Sequence, residues 1–443
     1  MRNGSFLRST LRGGTAAYAL AMLGAGVGMV ALSAPAAAQD YTTGAITGTV
    51  VDAGNKPVAG VKVTLRSLAQ NQSRTYTTSA TGGFSAVGLT PGQYQLTAEG
   101  DAYRTQSDTI QIAPAQESRI TVTVTAKDAP ANEVIVTGQR IRQDFTKTTT
   151  GLNLDVVATA AQLPIARSVT ALTLLAPGAV QGAPGFGNVP SLGGSSVAEN
   201  AYYINGLNIT NPDTYVGSAR VPFDFYQTVD VQTAGYAAEF GRATGGVINA
   251  TTKSGSNTPM MAIHGNFDET GLQSSSPNIG TPTNPSNIGR LAHTATQALS
   301  IEAGGPIIKD HIFLYGLYQA NDIVGKGASP ISNNYFRSIS TDPFYGGKLD
   351  IYATPTQHLE FTMFDTRQTT RTDNYTFTPN ASFTGGTPGV YTGSQKYKQG
   401  GFNWVGRYTG SITDFFQISG AYGINRDSND SMPLDTSSYY VID

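Results

Sequence analysis

From Pro259 onward the chain alternates apolar and polar residues over long stretches, and this limits its carboxy-terminal half more than anything else in the sequence. In Phe402-Asn403-Trp404-Val405-Gly406-Arg407-Tyr408 one parity carries Phe402, Trp404 and Tyr408, and the other carries Asn403 and Arg407. After a turn at Gly410–Asp414, Phe416, Ile418, Tyr422 and Ile424 alternate with Gln417, Ser419 and Ala421. Ile312 to Ala320, Lys348 to Ala353 and Leu359 to Phe364 behave the same way. A period of two is a strand period. Apolar residues outward and polar residues inward, with aromatics near strand ends, is the pattern of a transmembrane barrel, although a one-sided soluble sheet alternates too. Beyond the first forty residues no run approaches the ~20 apolar residues of a spanning helix, so membrane contact there would be made by strands.

Composition agrees with a β-rich chain outside the cytoplasm. Charged residues are 13% of 443, Gly (51), Tyr (22) and Phe (18) are abundant, and Trp occurs once. The formal charge of −2 offers no footprint for nucleic acid. Without cysteine there is no disulfide or thiol chemistry. Arg2, Arg8 and Arg12 precede an apolar run from Ala16 to Leu32, and Ala34-Pro35-Ala36-Ala37-Ala38 provides an A-x-A cleavage site before Gln39. Residues 1–38 therefore read as a signal peptide cut between Ala38 and Gln39.

Residues 41–126 read as a small β-sandwich, with short alternating strands separated by Gly/Pro turns. The pattern G-x-I-x-G-x-V-x-D…P-V-x-G-V-x-V, then G-x-F…L-x-P-G-x-Y-x-L, resembles carboxypeptidase-regulatory-like domains. The segment has no histidine and so no zinc ligand set, and it is expected to be non-catalytic. A small, polar linker, 127–147, follows. It contains Glu133-Val134-Ile135-Val136-Thr137-Gly138, a β-branched run that is either an ordinary strand or an extended docking segment.

Residues 148–257 read as a compact domain. Leu163-Pro164 to Gly178 is a short helix with its stop, Gly182 to Ser196 a loop, and Tyr202 to Gly206 a strand closing on an Asn205-Gly206 turn. Its last thirty residues, QTVDVQTAGYAAEFGRATGGVINATTKSGSN, hold Glu239 and Arg242 three apart, a Gly245-Gly246 pair, and Lys253 in a closing turn. Gly-Gly inside a strand pattern implies close approach of another backbone or wall. A Glu and an Arg among small residues imply a paired charge.

This thirty-residue stretch resembles the end of the plug domain of TonB-dependent outer-membrane receptors, most closely the Oar-like branch with an N-terminal carboxypeptidase-regulatory-like domain. The resemblance implies a mainly β protein: an N-terminal β-sandwich, a small α/β plug domain, then the first strands of a transmembrane antiparallel β-barrel over 258–443. It implies that Glu133–Gly138 is a TonB box that binds the TonB periplasmic domain as an added strand. Asn205, Gly206, Glu239, Arg242, Gly245, Gly246 and Lys253 fall on plug motifs, with a structural role. The partners are then TonB, outer-membrane lipid and an extracellular solute, with Tyr202, Tyr203 and Tyr215 as candidate contacts and the sandwich in the periplasm. Transport without direct gene regulation is expected, because the sandwich is not the signalling domain of the family. The rival function is an outer-membrane structural, adhesion or surface-assembly protein without active transport.

Residues 258–443 provide roughly six to eight strands at about ten residues each plus turns and loops, too few to enclose a plug. The chain is thus expected to be the N-terminal part of a longer receptor, with polar loops at Gln273–Gly289 and Thr369–Gly393. No enzyme is expected, and no cofactor. His264, His293, His311 and His358 are scattered and form no H-E-x-x-H, so no metal site is read. There is no G-x-S-x-G and no phosphate loop. Asp427, Asn429 and Asp430 lack the Gly and Glu of an EF-hand.

Overall fold

A computed structural model describes residues 42–114, 116–127, 149–183, 186, 189–236, 240–272, 274, 277–281, 284–382, 384–413 and 416–434. The amino-terminal sandwich has seven strands: β1 (Gly44–Val51), β2 (Lys62–Ser67), β3 (Ser73–Thr77), β4 (Gly83–Leu89), β5 (Gly92–Gly100), β6 (Tyr103–Ile112) and β7 (Glu117–Thr123). They form a sheet ordered β4-β1-β7 and another ordered β3-β2-β5-β6. Alternate residues such as Ile46, Val50, Val63, Leu65, Ala86 and Leu96 turn inward and make one apolar core, as strand periodicity requires when one face is covered.

The second domain is a mixed sheet with two short helices. Its elements are β8 (Thr150–Asp155), α1 (Val156–Gln162), α2 (Val169–Thr173), β9 (Ala179–Val180), β10 (Ser191–Leu192), β11 (Ala201–Ile204), β12 (Leu207–Asn208), β13 (Tyr226–Ala234) and β14 (Val247–Thr252). The sheet runs β12-β11-β14-β13-β8, with β11 and β14 parallel and β8 at an edge. Asp155 caps α1 by accepting from Ala158 N, and Ser168 caps α2 by accepting from Ala171 N. The α1 helix stops at Leu163, before Pro164, where the following proline disfavours helical backbone. At seven residues, VVATAAQ, it is too short and too uniformly small and apolar to show a helical period, and the sequence does not announce it.

The remainder is dominated by one antiparallel sheet of eleven strands. Its members are β15 (Met260–Asp268), β18 (His293–Ile308), β19 (Ile312–Ser329), β20 (Asn334–Ser340), β21 (Phe344–Thr354), β22 (Gln357–Asp365), β23 (Gln368–Pro379), β24 (Gly386–Gly400), β25 (Phe402–Thr413), β26 (Phe416–Ile424) and β27 (Ser428–Pro433). A separate hairpin, β16 (Ile279–Thr281) with β17 (Asn284–Asn287), lies in the β15–β18 connection. The pairings resolve the sheet into seven lanes: β15, β18, β19, β20 with β21, β22 with β23, β24 with β25, and β26 with β27. Strand β19 pairs β21 through its first half and β20 through its second. β22 then pairs β21 and β25, while β23 pairs β20 and β24. Each later lane breaks at one level. Pro343 withholds a ladder donor there, and Thr366 N donates to Gly401 O at 3.0 Å across two of the breaks. Thr369–Gly393, expected as a loop, is mostly the paired strands β23 and β24. Among the described residues β15 does not pair with β26 or β27, so the sheet is open.

The two faces of this sheet differ sharply. Leu299, Ile301, Leu314, Leu359, Phe361, Met363, Tyr408, Ile418 and Tyr422 are exposed on one face. Ser300, Glu302, Lys348, Asp350, Glu360, Thr362, Asn403 and Arg407 are buried on the other. That inverts the soluble pattern and is the distribution of a lipid-facing wall. No helix among the described residues is long and apolar enough to cross a membrane.

Candidate functional site

The mixed sheet is clamped to the polar face of the wall. Strand β14 delivers Lys253, whose Nζ lies 2.8 Å from both carboxylate oxygens of Glu302 on β18. Glu302 also accepts from the Tyr315 hydroxyl at 2.5 Å and faces His264 Nε2 at 2.9 Å. The lysine and glutamate side chains are only 11% and 3% exposed, which makes this a buried, fully partnered pair rather than a surface bridge. Beside it, Phe225 of the plug packs against Tyr315, Phe344 and Phe364 of the wall, with ring centroids 6.1, 5.5 and 6.2 Å away. These rings belong to a single apolar cluster shared by both domains.

Asn205 and Gly206 form the two-residue turn between β11 and β12, with φ of 45° and 85°. Positive φ at both positions is the type I′ requirement, which suits Asn-Gly. The turn aims the Asn205 amide at the wall: Nδ2 donates to Thr252 Oγ1 at 2.7 Å and Thr362 Oγ1 at 2.8 Å, and Oδ1 accepts from Thr252 N at 3.0 Å. Gly245 and Gly246 sit against the plug's own loop. A Cβ on Gly246 would lie 2.3 Å from Leu192 Cδ1, and one on Gly245 2.2 Å from Ser195 Oγ. Gly255 is where the wall itself comes closest, since a Cβ there would lie 2.5 Å from Leu314 O. Arg242 is exposed, has φ of 65°, and stands over the Tyr215 ring at 5.9 Å. Glu239, Glu133–Gly138, Ala38 and Gln39 lie outside the described residues.

On the side of the plug away from the sandwich, a cavity of about 560 Å³ opens between the plug segment 211–224 and the wall. Arg167, Tyr202, Phe223, Asn266, Gln319 and Asn321 are among its lining residues. Arg167 pairs with Asp224 and lies 5.1 Å over the Phe223 ring. Asp427 accepts from Asn211 Nδ2 and from Gly400 N, both at 2.9 Å. Arg220 also lines it, donating to Gln368 Oε1 at 2.9 Å, and amides, hydroxyls and aromatic faces make up much of the rest. Burial lifts the Tyr202 phenol to about 12, so it stays protonated. Tyr203 is turned elsewhere, edge-on to Phe240 at 5.3 Å, and Tyr215 lies outside the lining.

A second charged group was not singled out in the sequence. On the wall, Lys348 Nζ lies 2.8 Å from Glu360 and 3.8 Å from Asp350, and His358 Nε2 lies 2.9 Å from Asp350. Asp350, His358 and Glu360 bring ligand atoms within 4.8 Å of one another, near enough to share a metal ion. The Lys348 ammonium already supplies a cation there. The sequence did hold a signal: Lys348, Asp350, His358 and Glu360 have the opposite parity to Leu349, Ile351, Leu359 and Phe361, so all four face inward. Glu302, between Ile301 and Ala303, follows the same rule.

A capped stopper held against the polar face of an antiparallel sheet, with an apolar face behind it, is the construction of a plugged-barrel receptor. Residues 45–125 match the carboxypeptidase regulatory-like domain family. The chain is 32% identical over 283 residues to the TonB-dependent transporter Oar of Myxococcus xanthus, an alignment covering 61% of this chain and 26% of that protein. The chain thus spans about a quarter of the length of the curated relative it matches. Among solved structures it is similar to a mutant of the ferric enterobactin receptor of Pseudomonas aeruginosa, at 14% identity and a TM-score of 0.42, covering 64% of this chain and 41% of that one. It is also similar to the siderophore receptor PirA of Acinetobacter baumannii, at 11% identity and 0.33, covering 62% and 47%. The chain resembles an Oar-like TonB-dependent receptor with an N-terminal carboxypeptidase regulatory-like domain.

Proposed function

We propose that this protein is a TonB-dependent receptor of the outer membrane that takes up an extracellular solute, energised through Glu133–Gly138. The observation that carries this reading is the plug clamped by Lys253, Asn205 and Phe225 to a wall that is apolar behind and polar in front. The likeness to the Oar transporter points the same way. The solute enters the cavity between the plug segment 211–224 and the wall. The sandwich meets the wall at its short turns (309–311 and 355–356), which face the periplasm in barrels of this kind.

Energy reaches the plug along the chain. Glu133–Gly138 lies in sequence between the sandwich and β8, and among the described residues β8 ladders with β13 alone, at the sheet edge, with Leu152 and Leu154 packed on the core. A pull on the box therefore strips the edge strand first, leaving the inner pairs β13–β14 and β14–β11 for later. A peptide spanning residues 130–141 tests the reading by its binding to the TonB periplasmic domain. The expected result is binding that the Ile135→Pro peptide loses by about tenfold or more, since strand addition needs the main-chain donor. Equal binding by both peptides, or none by either, would favour the structural or adhesion role.

A further inference from the structure

The sandwich does more than hang beside the wall. Its β2–β3 loop, the start of β3 and the β4–β5 turn reach the turn end of the sheet, and the loop also reaches the segment by which the plug leaves for the wall. Asn71 Nδ2 donates to Asp310 Oδ1 at 2.9 Å, and Gln72 Nε2 donates to Asp310 O. Arg74 Nε donates to Pro355 O at 2.9 Å. The Tyr352 hydroxyl, inside the wall, donates to Gln70 Oε1 at 2.5 Å and shares a hydrogen bond with Thr90 Oγ1 at 3.0 Å. Tyr352 is itself fixed by stacking on His358, with ring centroids 4.2 Å apart and planes 6° from parallel.

The plug's exit segment is caught in the same contacts. Asn257 N donates to Ala69 O of the sandwich at 3.0 Å. Asn257 also exchanges two hydrogen bonds with Asp310: Nδ2 donates to Asp310 Oδ1 at 2.8 Å, and Oδ1 accepts from Asp310 N at 2.9 Å. Asp310, a turn residue at a φ of 64°, thus binds sandwich and plug exit together. Gln70 is buried at this junction, with Nε2 3.5 Å from Gly255 O.

We propose that the sandwich is a latch: docked at the turn end of the wall, it pins residues 255–257 and must undock before the plug can rearrange. The latch is polar and built from a few turns, so it can open without unfolding either domain. It needs no ligand and no metal. It gives the otherwise non-catalytic domain a role in this chain, that of holding the plug shut.

Hydrogen exchange on the full-length protein in outer-membrane vesicles tests the latch. The variant Gln70→Ala/Asn71→Ala removes side-chain contacts from the sandwich. Tyr352→Phe removes the hydroxyl from the wall while keeping the ring stacked, and so guards against a sandwich that simply misfolds. The amides of β14 pair within the plug sheet, with β11 and β13, and report the plug. In both variants they should exchange about tenfold faster than in the parent protein, with the β1–β7 amides unchanged. Unchanged β14 exchange in Tyr352→Phe, or acceleration of β14 only where the sandwich core also loses protection, would overturn the latch.

Discussion

The wall carries two interfaces, and they are made of different things. Against the plug it presents a shared apolar cluster, a buried Lys253–Glu302 pair and the Asn205 clasp. Against the sandwich it presents turns and the buried Tyr352, with hydrogen bonds to Gln70, Asn71, Gln72, Arg74 and Thr90. Burial of an aromatic ring contributes about 1.5–3 kcal/mol before any specific contact, whereas a net hydrogen bond contributes about 0.5–1.5 kcal/mol and is readily exchanged with water. The first interface is fit to hold a domain in place, the second to let one go. If that contrast is right, single substitutions at the plug interface should cost several times more than those beneath the sandwich.

The largest loss is expected from Glu302→Ala. It leaves the Lys253 ammonium buried opposite nothing, a situation that costs about 3–5 kcal/mol. Guanidinium unfolding of the detergent-solubilised protein, followed through exchange of the β11 and β14 amides, should show it. The double variant Lys253→Met/Glu302→Met should recover most of the loss, because an apolar pair of similar volume is often neutral. Failure to recover would mean that Glu302 matters chiefly through Tyr315 and His264. Phe225→Ala comes next, at about 3 kcal/mol by the same measurement, since three wall rings surround the vacated space and cannot all collapse into it.

The same contrast explains what the sequence made legible. The wall was readable because an apolar face outward imposes parity, and Phe402 to Tyr408 shows it, broken by Val405, which turns inward onto the shared core. The Asn205-Gly206 turn was readable because few dipeptides tolerate positive φ twice. The polar lanes above the breaks were not: Thr369 to Thr376 pairs with β24 along nearly all its length, yet Thr, Arg, Asp and Asn on both parities carry no period. The partner of Lys253 was not legible, because Glu302 lies 49 residues away: parity turns Glu302 inward, but only the fold sets Lys253 opposite it. The latch is less visible still, since Asn71, Asn257 and Asp310 are ordinary turn residues until the fold brings them together.

Asn205→Ala falls between the two interfaces. It removes three hydrogen bonds, one of them to Thr362 on the wall, and places alanine at a φ of 45°. The expected cost is about 1–3 kcal/mol. A value near zero would move the clasp out of the holding interface and blunt the contrast.

The smallest effect is expected from Asp310, and acid should reveal it. The Asn71 amide, helped by Asn257, holds the Asp310 carboxyl below its ordinary value. The docked state therefore binds a proton more weakly than the undocked one, so this contribution to docking is complete above the ordinary carboxylate range. It fades as pH falls through the lowered value. Exchange at the sandwich residues 69–72 should accelerate on acidification below the ordinary carboxylate range, relative to the intrinsic exchange rate at each pH. Asp310→Asn cannot titrate and should remove the pH dependence at those residues with little change in global stability. If the plug and sandwich interfaces instead loosen together in parent and variant alike, the wall does not distinguish a fixed domain from a releasable one.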